Sequence, residues 1–459
     1  MGRLIWFELK KIFSIKKIII SAIVVLTISV LCLNTTGGLN PTDFNKSMYD
    51  YLKKFKGEVT EEKIEEAQKL YDEIRFNIDN YEFFPKDDIE RFNTMTDREK
   101  DEYLSSYRPD MMLKPDIYDS DINEETRLDP NSYEGFPDED LEEYYQMSTE
   151  QKYEYIKEHT HSPVLEYVLT DGISYVLYQM KSVNGKLDEN LETVGYLGLS
   201  DADEQLLKNK LVLQEPLIFG YCEFYTGFLD FTQIYAPLLI GFCIIFFLSS
   251  SFTIEYSKKT RVLIQSSKFG LFKSTAAKLA AGTISAAVCF IFIQAVNIIM
   301  YGAVFGFEGW DVSLSVSSTR SVFWTTPYDM NMLQYLIYYL IFSFVGTLMF
   351  SVFVMFISSV FKSSIITFAV NTAAFFAPAI AGLMSQNFNS HFIDPLTNAL
   401  FYTYPTFIQA SNYISKFKCI HIFGGTIMIR EFVLVVFTLV TIILIFAVFK
   451  LFARRTADE

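Results

Sequence analysis

The architecture of this chain follows from the segment Glu255-Tyr-Ser-Lys-Lys-Thr-Arg-Val-Leu-Ile-Gln-Ser-Ser-Lys-Phe-Gly-Leu-Phe-Lys-Ser-Thr-Ala-Ala-Lys278, which lies between two long apolar runs, residues 231–252 and 279–305. Six basic residues in this segment face a single acid, Glu255. Short loops rich in Lys and Arg are retained on the cytoplasmic side of a membrane. The segment therefore predicts a cytoplasmic loop between two transmembrane helices, and this assignment orients the whole chain.

The same loop carries an apolar pattern among its charges. Val262, Leu263 and Ile264 form a small apolar cluster, and Gly270 marks a turn before Leu271. This pattern predicts a short amphipathic helix that docks on a soluble partner. The alternative is an ordinary basic loop that lies on anionic lipid, and the pattern alone does not separate the two.

Outward from the loop, uncharged apolar runs predict an all-α membrane protein with six transmembrane helices. Residues 2–17 are basic and predict an interfacial helix whose apolar face includes Trp6, Phe7, Ile12 and Phe13. About 20 helical residues suffice to cross the hydrocarbon core of a bilayer. Six spans place both the N- and the C-terminus in the cytoplasm. The predicted spans are residues 18–33, 231–252, 279–305, 333–361, 365–384 and 432–452.

An alternative for the first apolar run is a cleaved signal peptide. Residues 29–32, Ser-Val-Leu-Cys, lack the small residue before cysteine that a lipoprotein signal requires. No small-x-small cleavage pattern follows cleanly either. The favoured interpretation is a retained span, so that residues 1–34 comprise the interfacial helix and the first transmembrane helix.

Residues 35–230 form an acidic insert between the first two spans. They hold 45 of the 54 acidic residues and 20 of the 39 basic residues, a net charge of −25, whereas the rest of the chain carries +10. No strand-like alternation stands out, so we predict a mainly helical extracellular domain. Residues 84–103 and 136–155 align without gaps with eight of 20 positions identical, which indicates an internal repeat; the alternative is a coincidence between two acidic helix starts.

Residues 231–459 complete the membrane framework, with the basic loop at 253–278. Between the last two spans, residues 385–430 are neither fully polar nor apolar for long enough to cross a membrane. Pro395 and Pro405 bracket an aromatic stretch within this segment. The pattern predicts broken helices on the outer side, either half-inserted or lying on the surface.

This layout resembles the six-span permease subunits of type-2 ATP-binding-cassette exporters. The resemblance covers the membrane framework, roughly 260 residues, and leaves out the acidic insert. It depends on the basic start Phe-Glu-Leu-Lys-Lys-Ile-Phe at residues 7–13, on the outer segment 385–430, and on an order of residue types in the loop after the second span. Lys259 stands where the family usually has glycine before the threonine. The loop residues that follow the family's order are Glu255, Lys259, Thr260, Leu263, Ile264, Ser266, Ser267 and Lys273.

The resemblance implies that this loop contacts an ATPase subunit. The implied coupling residues are Glu255, Lys259, Thr260, Leu263, Ile264, Ser266 and Lys273. A second permease, identical or related, is a further implied partner. The sequence has no G-x-x-x-x-G-K-[ST] phosphate loop, so we expect no enzyme activity and no cofactor in this chain, with ATP and Mg²⁺ bound by the separate subunit.

The expected function is export of an amphipathic substrate, such as a peptide toxin, an antimicrobial peptide or a lipid, across the cell membrane of a bacterium. Membrane lipid is an expected contact, and nucleic acid is not an expected partner. The alternative function is a non-transporting membrane sensor whose acidic, Tyr-rich outer domain binds a peptide ligand. A dedicated ATPase partner separates these functions, because a sensor has no need of one.

Three uncharged polar residues lie inside the predicted spans. They are Gln294, Asn297 and Asn371. A polar group in lipid costs free energy unless it finds a hydrogen-bond partner. These side chains either line a translocation path or hold neighbouring helices together, and the sequence favours neither.

No metal site is predicted from the sequence. The run from Asp119 to Asn123 begins like a calcium-binding loop, but Glu124 and Pro130 stand where such a loop requires glycine and glutamate. His159 and His161 have no obvious ligand partners nearby in the sequence and are predicted to be surface residues.

Overall fold

The structure is a computed structural model of the 459-residue chain. It describes residues 1–35, 43–80, 163–195, 199–214, 216–257, 272–316, 323, 326–387, 403–415, 417–422 and 425–454. These residues are mostly helical, as the sequence predicts. They divide into two compact units, one comprising Met1–Pro41, Lys56–Val59 and Ser182–Glu459, and the other Thr42–Phe55 and Thr60–Lys181.

The first unit contains the apolar helices. In chain order its α-helices are α1 (Gly2–Ile12), α2 (Ile15–Thr35), α6 (Lys186–Gly195), α7 (Asp201–Val212), α8 (Glu223–Asp230), α9 (Ala236–Leu248), α10 (Thr253–Ser257), α11 (Phe272–Phe305), α12 (Met332–Val360), α13 (Ser364–Asn387), α14 (Tyr404–Gln409) and α15 (Ile429–Arg454). Its short strands are β1 (Gly57–Glu58), β2 (Ile218–Phe219), β3 (Cys419–Ile422) and β4 (Gly425–Met428), which pair antiparallel as β1–β2 and β3–β4.

Among the described residues, five helices are long and apolar enough to cross a membrane. They are Ile15–Thr35, Glu223–Glu255, Phe272–Phe305, Met332–Val360 and Ile429–Leu451. The predicted span at residues 365–384 falls in α13, in which Ser364–Ile380 is a further apolar helical stretch. The chain is therefore a helical membrane protein with five candidate spans, and the sixth span and the orientation stay predictions.

The second candidate span begins earlier than the sequence predicted. The sequence analysis placed its start at residue 231, directly after the acidic insert. In the structure α8 continues through a π-helical turn, Phe231–Tyr235, into α9, so the helical path starts at Glu223. Residues 223–229 are buried throughout. At about 1.5 Å per residue, this 33-residue path is longer than the hydrocarbon core of a bilayer.

Glycines allow the apolar helices to pack closely at three crossings. A Cβ atom at Gly241 of α9 would meet the ring of Phe375 in α13, and one at Gly282 of α11 would meet Met355 in α12. A Cβ at Gly346 of α12 would meet Phe407 in α14. Small residues at such crossings let the helix backbones approach each other, which is the usual way that membrane helices gain packing contacts.

The second unit contains most of the acidic insert. The helices among its described residues are α3 (Asp43–Lys54), α4 (Glu61–Asn80) and most of α5 (Pro163–Asn184), in agreement with the predicted helical character. Its buried apolar residues include Leu52, Ala67, Val176 and Met180. The proposed repeat, 84–103 and 136–155, lies outside the described residues. The predicted domain extended to residue 230, whereas the compact unit ends at Lys181.

The predicted broken helices of residues 385–430 are only partly correct. Helix α14 and a 3-10 turn, Ser411–Tyr413, are short helical pieces of the kind expected. They are followed by a β-hairpin, in which β3 pairs with β4 and Ile420 lies opposite Ile427. The purely helical prediction was therefore wrong for Cys419–Met428.

Candidate site for a cytoplasmic partner

The basic loop leaves the described part of the chain after Ser257 and rejoins it at Phe272. Five of the predicted coupling residues, Lys259, Thr260, Leu263, Ile264 and Ser266, lie outside the described residues. The other two take different positions, since Glu255 is buried at the end of the second span and Lys273 is exposed in the first turn of α11. The structure therefore describes the two ends of the loop.

Lys278 joins these two ends by ionic contacts. Its Nζ atom lies 2.6 Å from Oε1 of Glu255, across the loop, and 3.6 Å from Oε2 of Glu8 in α1. The same Nζ donates a hydrogen bond of 3.0 Å to the carbonyl of Ser251. Lys11 then pairs with Oε1 of Glu8 at 2.9 Å. We call Glu8, Lys11, Glu255 and Lys278 the ion cluster.

The ion cluster is neutral and mostly buried. Lys278 is 0% exposed and Glu255 2%. Two ammonium groups face two carboxylates, so no net charge is left in the interior when all four are ionised. Removing a charged pair from water carries a desolvation cost of several kcal/mol for each ion. These charges are compensated only by one another, so separating them would leave a buried charge without compensation. The ion cluster therefore restrains the positions of both loop ends.

The chain segment before the loop is also fixed to the neighbouring helices. The carbonyl of Ser249 accepts a hydrogen bond of 2.9 Å from the hydroxyl of Ser358 at the end of α12. The same hydroxyl accepts from the amide of Phe252 at 3.1 Å. Thr253 and Ser364, at the start of α13, share a hydroxyl–hydroxyl hydrogen bond. A displacement of the loop at this end would therefore reach α12 and α13 as well as α1.

Helix α1 uses a different face from the one predicted. We expected Trp6, Phe7, Ile12 and Phe13 to share one apolar face. In the structure Glu8 and Ile12 are the buried residues of α1, whereas Trp6 and Phe7 are 61% and 56% exposed. Phe13 follows the helix and packs edge-on against Phe247 at 5.2 Å between ring centres. The buried face of α1 carries Glu8, which lies 3.6 Å from Lys278. A hydrophobicity pattern does not predict that an acid is buried.

Glu8 and Lys278 are the residues that the sequence analysis missed. Lys278 was counted among the six loop bases, but it lies in the second turn of α11 and is buried there. Glu8 is the single acid in an otherwise basic segment, residues 2–17. The available signal was a pair of isolated acids in basic surroundings, Glu8 in the interfacial helix and Glu255 in the loop. Both are buried partners of Lys278.

The three polar residues inside the spans do not come together as one group. Nε2 of Gln294 donates to the hydroxyl of Tyr339 at 2.8 Å, which joins α11 to α12. Nδ2 of Asn297 donates to the carbonyl of Ile293 within its own helix. Asn371 of α13 instead contacts Ser249 at 3.5 Å, close to the loop. Their side-chain oxygens, Oε1 of Gln294 and Oδ1 of both asparagines, are buried and have no hydrogen-bond partner among the described residues.

A cavity of about 440 Å³ lies between α12, α13, α14 and α15. Its lining is mainly aromatic and aliphatic. Ala374 and Ala377 contribute the small side chains on α13 that leave the space open. The other lining residues are Phe350, Phe353, Thr403, Tyr404, Pro405, Phe432, Val433, Val436, Phe437 and Val440. The volume is in the range of pockets that hold small ligands, and the lining suits an apolar group.

The chain was compared with known proteins, and it matches no protein-family model, no curated protein and no solved structure. The resemblance to exporter permeases therefore stands only on the residues named above. What can be argued about function comes from the ion cluster, the basic loop and the cavity.

Proposed function

We propose that this chain is the permease subunit of an ATP-binding-cassette exporter. It pairs with a second permease, identical or related, and with separate ATPase subunits that bind ATP and Mg²⁺. The basic loop at 253–278 is the contact with the ATPase. The substrate is amphipathic, a peptide or a lipid, and crosses the cell membrane. The candidate spans and the resemblance of the loop support this proposal, but the observation that carries it is the ion cluster.

The ion cluster supports coupling because it makes the ends of the loop stiff. An ATPase that pulls or pushes on a loop moves the membrane helices only if the loop ends do not simply bend. Here Lys278 connects Glu255 with Glu8, so both loop ends and α1 are held by one side chain. A loop that only adsorbs to anionic lipid has no use for buried charges at its base, since their desolvation is costly.

The cavity supports an amphipathic substrate with an apolar part. Its aromatic rings, such as Phe350, Phe353 and Phe437, offer large apolar surface, while Tyr404 and Thr403 supply hydroxyl groups at one edge. About 440 Å³ accommodates an acyl chain segment or a bulky apolar side chain. The cavity lies among α12–α15, and α12 and α13 are also tied to the loop region through Ser358 and Ser364.

Co-purification tests this proposal. A C-terminal tag is used to extract the chain in mild detergent from its native membranes, and the co-purifying proteins are identified by mass spectrometry. The same is done for the loop variant Leu263→Asp/Ile264→Asp, which places two charges in the apolar cluster. The matched control is Val212→Asp/Leu213→Asp, because these neighbouring apolar residues are exposed and lie outside residues 253–278 in the sequence.

A nucleotide-binding subunit is expected with the native chain and with the control variant, and its recovery is expected to fall strongly with the loop variant. If the subunit is recovered equally with the loop variant, the exporter function stands and the contact residues are wrong. If no ATPase is recovered even after cross-linking in intact membranes, the exporter function is wrong. The sensor function would then be the one to pursue.

A further inference from the structure

A second group of titratable side chains lies in the first unit, away from the basic loop. It is formed where the start of α7 meets the β3–β4 hairpin. The approach of these two elements is explained by a small apolar core, in which Leu207 and Leu211 of α7 are buried with Val194 and pack against Phe417 just before β3. This packing brings the first turn of α7 beside the outer face of the hairpin strand.

Three side chains with different ligand atoms converge at this point. Oδ1 of Asp203 lies 3.3 Å from Sγ of Cys419, and Oδ2 of Asp203 lies 2.9 Å from Nε2 of His421. The three ligand atoms of these residues all lie within 4.8 Å of one another. The edges of a tetrahedron with metal–ligand bonds of about 2.0–2.3 Å are about 3.3–3.8 Å long, and the Oδ1–Sγ separation lies in this range.

The local structure orients each of the three side chains. Cys419 and His421 are two residues apart on β3, and side chains two apart point to the same face of a strand. Thr426 lies opposite His421 in β4, and its hydroxyl is 3.2 Å from Nδ1 of the imidazole. The hydroxyl of Ser200, the N-cap of α7, donates to Oδ2 of Asp203 at 2.9 Å.

We infer that Asp203, Cys419 and His421 form a binding site for a divalent transition metal of the zinc class. One sulfur, one imidazole nitrogen and one carboxylate oxygen are the three ligand types that zinc takes in proteins. Calcium and magnesium require oxygen ligands and do not suit a thiolate. The His421 side chain is 55% exposed, so the fourth position of a tetrahedral ion is open to water or to a ligand from solvent.

The contact between the Thr426 hydroxyl and His421 is of a kind that commonly orients the imidazole ring in metal sites. With Nδ1–H donating to Thr426, the ring presents Nε2, with its lone pair, to the ion. Partners of this type commonly set the tautomer and the orientation of a ligating histidine. The hydrogen bond of Ser200 to Asp203 does the same for the carboxylate. The site therefore has ligands and the groups that support them.

In the metal-free form the Cys419 thiol and the Asp203 carboxylate are hydrogen-bonded to each other. Hydrogen bonds, foremost from His421, hold the pKa of the Asp203 carboxyl below its usual range, so it is an anion at neutral pH. Burial, followed by the neighbouring Asp203, raises the pKa of the Cys419 thiol to about 11. In the absence of metal the thiol therefore keeps its proton and donates a hydrogen bond to Oδ1 of Asp203. When zinc binds, the S–H bond is replaced by an S–Zn bond and the proton passes to solvent.

Such an ion would join α7 to the last candidate span within the first unit. Asp203 belongs to α7, whereas the hairpin runs directly into α15 at Ile429. The amide of Ile429 donates to the carbonyl of Lys418 at 2.9 Å, so the base of the hairpin is fixed to the start of α15. The inference is independent of the exporter function, because it requires only these described contacts.

Zinc binding to the purified full-length protein in detergent tests the inference. The protein is first treated with a chelator and then titrated with Zn²⁺ in competition with a fluorescent zinc indicator. One zinc ion per chain is expected. His421→Ala is expected to weaken binding by roughly 100-fold or more, and Thr426→Val by about 10-fold, since loss of a supporting partner usually costs a factor of 10–100. Titration with Co²⁺ is expected to give a thiolate-to-cobalt absorption band that Cys419→Ser abolishes.

The control variant is His159→Ala/His161→Ala, which removes a closely spaced pair of histidines that does not belong to the site. It is expected to bind zinc like the native protein. Because His421 is largely exposed, His421→Ala is expected to fold, and its elution in size-exclusion chromatography checks this. The inference is overturned if the native protein binds no zinc, or if binding survives in His421→Ala and Cys419→Ser. It is overturned as well if the control variant alone loses the ion.

Discussion

Replacing Lys278 by methionine tests whether the ion cluster holds the loop ends together. Methionine keeps the length of the side chain but removes the ammonium group. The change breaks the 2.6 Å contact with Glu255 and the 3.0 Å hydrogen bond to Ser251. It also leaves two carboxylates, Glu255 and Glu8, with only Lys11 to balance them. Both losses destabilise the folded chain.

The magnitude follows from burial. Removing one partner of a buried ion pair usually costs about 3–5 kcal/mol, because the other charge stays behind without compensation. At equal permittivity, Glu8 at 3.6 Å attracts the Lys278 ammonium group about 0.7 times as strongly as Glu255 does at 2.6 Å. Glu8 also pairs with Lys11 at 2.9 Å, but Lys11 is partly exposed, so we expect Glu8→Gln to destabilise the chain less than Glu255→Gln, whose partner Lys278 is fully buried. The free energy of unfolding is measured by SDS titration in detergent micelles, followed by tryptophan fluorescence.

The matched control is Lys208→Met. Lys208 pairs with Glu204 at 2.7 Å, nearly the same distance, but both side chains are at least 30% exposed. Exposed pairs of this spacing on a helix contribute only about 0.3–0.5 kcal/mol. A second test is Lys278→Met/Glu255→Met, which removes both charges and is expected to recover much of the stability lost in Lys278→Met. Equal costs for Lys278→Met and Lys208→Met, or additive effects in the double variant, would refute the reasoning.

Three further outcomes are expected. Gly241→Leu forces a side chain into the ring of Phe375 and is expected to lower the yield of folded protein in detergent, which gel filtration measures. Asn331→Ala removes the capping box of α12 with Gln334 and is expected to cost about 1 kcal/mol of unfolding free energy. Ala377→Phe fills the apolar cavity and is expected to abolish substrate export while recovery of the ATPase subunit stays unchanged; unchanged export would contradict a substrate role for the cavity.

The helices were predictable because long uncharged runs leave few other folds open. A backbone in lipid must satisfy its own hydrogen bonds, so a run such as 279–305 is helical whatever its neighbours are. The structure extends that helix to Phe272 and so includes Lys278. Whether a lysine near a helix start is solvated or buried depends on which acids the fold brings to it, and Glu8 is 270 residues away in the chain. No local pattern contains that information.

The hairpin at the end of the outer segment was missed for a different reason. The pair Gly424-Gly425 between two runs rich in isoleucine is a hairpin signal. We gave more weight to Pro395 and Pro405, which lie earlier in the same segment. The cluster of Asp203, Cys419 and His421 then followed from neither pattern, because two of its members lie on the hairpin and the third lies more than 200 residues earlier. They come together through tertiary contacts such as the packing of Phe417 against the core that includes Leu207 and Leu211 of α7.

The coupling role of the basic loop is the central claim, and site-specific photo-cross-linking tests it most directly. A photoreactive amino acid replaces Leu263, the cells are irradiated, and the protein attached to the chain is identified. The same residue placed at exposed Leu213 serves as the control. We predict that position 263 cross-links to a nucleotide-binding subunit and that position 213 does not. Cross-links from position 263 to lipid alone, or to a partner without a nucleotide-binding site, would contradict the claim.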